Sequence, residues 1–168
     1  EGLTDQGTQW PIQEGCVGTD ILHKDAFKRG RGKFHFFPFQ ESREIERHHD
    51  EFPFILTTGR LLEHYNCGTM TRRTNNALIV TQDELAINPQ DADRKRIADG
   101  DEVRIFSARG EVRLQANRSE EVKPGVLYCT FHFPEVLVNT VTSSECDQDT
   151  MCPEYKVVAV DVERVGAG

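Results

Sequence analysis

The sequence predicts a mainly β fold, a closed or sandwiched sheet with short helices attached. Short runs of alternating apolar and polar residues recur between residues 52 and 162, divided by Gly, Pro, Asn and Asp turn signals. Only one stretch carries a helix start signal, so the strand–helix–strand rhythm of a doubly wound parallel sheet is missing.

Residues 1–51 read as an arm and linker. Trp10-Pro11, Gly15, Gly18 and Gly30-Arg31-Gly32 punctuate the stretch, and no period of strand or helix persists. Ile21-Leu22 and residues 34–39 each suit a short strand. Phe34, Phe36, Phe37 and Phe39 are too apolar to stay in water, so the arm is expected to pack against the domain or another partner. The charged run 41–51, with His48-His49 inside it, is a solvated linker by composition, and the domain is expected to start near Glu51.

Residues 52–56 form an apolar run with Pro53 near its start, where no ladder donor is needed. Residues 77–80 and 85–87 suit further strands. Asn88-Pro89 opens a helix with Asn as cap, Pro in the first turn and Asp91 beside them. Val103 and Ile105, then Val112 and Leu114, alternate on either side of a glycine-containing turn and predict a hairpin. Residues 126–133 and 156–162 supply the remaining strands.

The chain is organised around residues 52–76. After Thr57 and Thr58, Gly59 lets the backbone approach a ligand closely, and Arg60 places a five-donor planar fork at the strand's end. His64, Asn66, Thr69, Thr71, Arg72 and Arg73 follow, with few aliphatic side chains among them. From the residues alone, a solvated loop and the wall of a polar ligand site fit equally well.

Composition narrows the classes. A length of 168 residues allows a core of its own, and a net charge of −8 argues against nucleic acid as partner. Basic residues are nonetheless grouped, at positions 24–33 and again at Arg60, Arg72 and Arg73. The five cysteines include no CxxC pair, so no zinc or iron–sulfur motif is visible; Cys67 suits a buried small hydrophobe. No apolar run is long enough to span a membrane, and no direct membrane insertion is expected. The sequence opens Glu-Gly-Leu without methionine, as expected of a piece of something longer.

The ordered series TTGR, HYN, INPQDADRKRIADGDEVRIFSARGEVRLQA, VKPGVLYCTFHF, VNTVT and PEYK resembles the C-terminal cofactor-binding domain of molybdopterin oxidoreductases. Within that superfamily it is most similar to the catalytic subunit of molybdenum- or tungsten-dependent formate dehydrogenases, a choice that QWP, GTDILH and FKRGRGKF in the arm support. The resemblance covers nearly the whole chain.

It implies a double-psi β-barrel of the aspartate-decarboxylase-like type over residues 52–168. That barrel forms one wall around two molybdopterin guanine dinucleotides (bis-MGD) and their metal. The implied contacts are Thr58, Gly59, Arg60, His64, Asn66, His132, Asn139, Thr142, Tyr155 and Lys156. Bland roles stand beside several of them: His132 as a satisfied rim histidine, Asn139 and Thr142 as turn caps, Lys156 as an edge-strand lysine. The metal ligand, the catalytic His-Arg pair and the iron–sulfur cysteines belong upstream, so no catalytic or metal-binding residue is assigned here. The implied parent is a cytoplasmic enzyme that oxidises formate to CO2, partnered by its own upstream domains and by electron-transfer subunits. The alternatives are a freestanding cofactor-binding or interaction subunit, and the same domain of a sister enzyme such as nitrate reductase.

Overall fold

The computed structural model of the chain describes residues 7, 9–12, 18–19 and 21–166. Gly15 and Cys16 lie outside the described residues. The chain divides into two compact units, Glu1–Phe39 and Gln40–Gly168. Among the described residues of the first, no strand forms at 21–22 or 34–39, and Phe34, Phe36, Phe37 and Phe39 are exposed.

In the second unit, six strands close into a barrel: β1 (Phe54–Gly59), β2 (Glu84–Ile87), β3 (Glu102–Phe106), β4 (Glu111–Arg118), β5 (Val126–Thr130) and β6 (Val158–Arg164). Their order around the barrel is β1-β5-β2-β4-β3-β6. Alternation sends Leu56, Leu85, Ile87, Val103, Ile105, Leu114, Leu127, Val158, Val160 and Val162 into one shared core. Burial of these branched side chains is the main stabilising term, about 1.5–3 kcal/mol for each fully buried one.

β1 runs parallel to β5, and β2 parallel to β4; the other neighbours are antiparallel. Exchanging β1 with β4, β2 with β5 and β3 with β6 leaves this pattern unchanged. The chain is therefore two similar three-strand halves, and every pairing joins a strand of one half to a strand of the other. This interlocking is the double-psi topology expected above.

The strand directions also fix where the connections lie. β1 and β5 end, β2 and β6 begin, and the β3–β4 hairpin turns, all at one end of the barrel. All the candidate contact residues fall at that end, at the close of β1 or on the β1–β2 and β5–β6 connections. The opposite end carries the helix α2 (Pro89–Lys95), capped by Asn88, whose side-chain oxygen accepts the Gln90 N–H at 3.0 Å.

Two further expectations differ from the structure. The run 41–51, expected as a solvated linker with the domain beginning near Glu51, contains the helix α1 (Arg43–His48), capped by Ser42, and belongs to the barrel's unit. Its charged composition hid a buried residue: Glu44 is 2% exposed because its partner Arg109 arrives from the β3–β4 turn. Residues 77–80, expected as a strand, instead close a short 3-10 helix at Asn75–Leu78. The Thr74 hydroxyl accepts the Asn76 N–H there, and this local bond competes with extended pairing.

Candidate functional site

β1 delivers Gly59 to the barrel's end beside β5, where a Cβ would overlap the ring and hydroxyl of Tyr128. The missing side chain lets the Tyr128 hydroxyl donate to the Arg60 carbonyl at 3.3 Å. Burial, and next the neighbouring Cys129, push the Tyr128 phenol above its usual pKa. Arg60 itself is exposed, and its guanidinium makes no hydrogen bond or ion pair among the described residues.

Thr58 is buried and donates its hydroxyl to the Tyr155 carbonyl at 3.1 Å, while the Lys156 ammonium donates to the Thr58 carbonyl at 2.8 Å. These bonds bring three of the candidates together across β1 and the β5–β6 connection. Tyr155 remains partly exposed, its ring edge-on to Phe131.

His132, fully buried, clasps the chain after Arg60. Its Nε2 accepts the Leu61 N–H at 2.9 Å, and its Nδ1–H donates to the Asn66 carbonyl at 2.5 Å. One ring nitrogen must accept while the other donates, so the ring is the neutral Nδ1–H tautomer. Asn66 takes a positive φ of 50°, which turns its carbonyl to the ring and leaves its side chain exposed. His64 is buried beside His132 and Phe133; its Nε2–H donates to the Val80 carbonyl at 2.9 Å and its Nδ1 accepts from Thr71 at 3.0 Å.

Asn139 and Thr142 lie further along the β5–β6 connection. The Thr142 hydroxyl donates to the Asn139 carbonyl at 2.9 Å and closes the short helix Val138–Thr140. Among the described residues, no hydrogen bond ties either side chain to the other candidates. A cavity of about 300 Å³ beside the β1 end is lined by Leu61, Tyr128, Thr130 and the 79–82 segment, and by none of the candidates. Cys67, expected as buried, is exposed. Arg72 is committed to Glu135 and lies over the Phe133 ring at 4.9 Å.

The family described as Molydopterin dinucleotide binding domain matches residues 54–159. The chain belongs to that family. Among curated proteins, the F420-dependent formate dehydrogenase subunit alpha of Methanocaldococcus jannaschii is 41% identical over 161 residues, which are 95% of this chain and 24% of that protein. Formate dehydrogenase H of Escherichia coli is 32% identical over 163 residues, 94% of this chain and 23% of that protein. The chain thus spans about a quarter of the length of the curated relatives it matches. Among solved structures, acetylene hydratase from Pelobacter acetylenicus superposes with a TM-score of 0.63 at 13% identity, over 79% of this chain and 21% of that one, which supports the fold.

One barrel end thus presents an exposed guanidinium, unpaired among the described residues, beside a braced backbone. The bracing includes residues that sequence reasoning missed. Asp83, not singled out in the sequence, is 2% exposed and takes donors from Thr130, His132 and Phe133. Glu44, read as linker charge, accepts from Arg109, Ser143 and the Ala159 N–H. Asp83 stands between Gln82 and Glu84, so nothing local in the sequence marked it for burial. Among the described residues, no helix is long and apolar enough to cross a membrane.

Proposed function

We propose that this chain is the wall of a formate-oxidising subunit that grips molybdopterin guanine dinucleotide. The observation that carries the reading is Arg60, an exposed guanidinium unpaired among the described residues at the barrel end where the candidate-bearing connections gather. A planar cation there suits a pyrophosphate or the acceptor edge of a pterin.

Asn66, Asn139, Tyr155 and Lys156 are exposed on the same connections and supply further donors and acceptors. Thr58, His64 and His132 spend their polar atoms inside the protein, and Gly59 and Thr142 shape the backbone; these five hold the wall in position. The formate dehydrogenase names of the relatives support formate as the parent's substrate, with CO2 as product.

In this reading the parent holds two dinucleotides around molybdenum or tungsten. The upstream domains carry the metal ligand and an iron–sulfur cluster, which passes electrons to partner subunits. The segment before Gln40 is the arm leading in from those domains, and the parent works in the cytoplasm. When bound, the cofactor supplies the redox chemistry; the residues of this chain only bind and orient it, and the chain alone turns over no formate.

The test is the guanine nucleotide released from purified full-length subunit. Arg60→Ala is expected to lower it about tenfold or more, the loss of a charge-assisted bond, with Arg60→Lys intermediate. Undiminished guanine content in Arg60→Ala overturns the reading.

A further inference from the structure

Asp83 and His132 tie both ends of one long connection to the same short stretch of chain. The connection leaves β1 at Arg60 and ends at Asp83, just before β2. At its far end, one Asp83 carboxylate oxygen accepts from the Thr130 hydroxyl and from the His132 N–H at 3.1 Å, and the other from the Phe133 N–H at 3.0 Å. Both oxygens are occupied, and the side chain is 2% exposed.

At the near end, the His132 ring holds Leu61, the neighbour of Arg60, and Asn66 beyond it. The backbone of His132 is therefore placed by Asp83, and the ring of His132 places the residues around Arg60. Neither group has a polar atom left for a ligand. A fully buried ring whose nitrogens face a peptide N–H and a peptide carbonyl has no other polar partner to take.

We propose that Asp83 and His132 are positioning residues, a two-step brace that sets where Arg60 stands without touching the bound dinucleotide. The functional half of this inference rests on the reading of Arg60 given above; the brace itself does not.

The experiment uses the full-length protein with Asp83→Asn, alone and combined with Arg60→Ala, and His132→Phe as an independent variant. The latter keeps a ring but removes both nitrogens, and it serves if Asp83→Asn fails to fold. Amide hydrogen exchange is followed in peptides covering residues 60–66 and, as a control, β1 and β5. Either single variant is expected to speed exchange at 60–66 about tenfold, with the strand peptides unchanged.

Bound guanine nucleotide is expected to fall in Asp83→Asn about as far as in Arg60→Ala, and no further in the double variant, because a displaced Arg60 has little left to lose. Unchanged exchange at 60–66 overturns the brace, as does a double variant whose losses multiply. If Arg60→Ala leaves nucleotide content unaltered, the binding reading falls, and the exchange data still decide the brace by themselves.

Discussion

At position 59 the β1 backbone passes so close to Tyr128 that any side chain collides with the phenol ring. Gly59→Ala is expected to cost about 1–3 kcal/mol in urea unfolding, the usual penalty of overpacking. In a Tyr128→Ala background, where the obstructing ring is gone, the same change is expected to cost much less. Glu44 makes a different kind of prediction. Burial works to raise its carboxyl, but the Arg109 guanidinium, the Ala159 N–H and the Ser143 hydroxyl outweigh it and hold the group below the ordinary 4.5. The unfolded state then binds the proton more readily. The stabilisation is complete above the ordinary carboxylate range and is lost as pH falls through the lowered value. Glu44→Gln is expected to lose about 1–3 kcal/mol at neutral pH, and the gap from the unmutated protein is expected to close on acidification below about pH 4.5.

Helix α2 shows a signal that survives folding intact. Asn88 caps the Gln90 N–H and also donates to the Val122 carbonyl at 2.8 Å, so Asn88→Ala is expected to cost about 1–2 kcal/mol in thermal or urea unfolding. The cap, the following proline and Asp91 are adjacent in sequence, and local chemistry alone makes them legible. The β3–β4 hairpin is legible for the same reason: Val103, Ile105, Val112 and Leu114 alternate within a few residues of their turn. Helix α1 is not, because the partner that buries Glu44 stands at residue 109. Asp83 hides likewise, since its donors belong to β5 and the residues just beyond. Of the candidate site, the polar residues at the ends of β1 and β5 were visible in the sequence. Whether a histidine faces a ligand or a peptide group was not, because that depends on which loop comes to lie beside it.

At the scale of the whole barrel, consecutive strands pair only in β3–β4; every other pairing brings together distant parts of the chain. Loop-closure entropy must be met before those contacts form, so folding is expected in about the millisecond-to-second range. In chevron measurements, Ile105→Val in the hairpin is expected mainly to slow folding. Leu56→Ala in β1, whose neighbours arrive late, is expected mainly to speed unfolding. Equal partition of both substitutions between the two rates would contradict a hairpin-first order. The parallel pairing of β1 with β5 had no signature in the sequence, because it depends on which distant run meets which.

Because strands of the two halves alternate all the way round, neither half owns a single internal ladder. Opening the chain at the 107–110 turn leaves each polypeptide with three barrel strands and no strand partner of its own, so the sheet returns only when the two meet, which makes that turn the natural joint for a split-protein reporter.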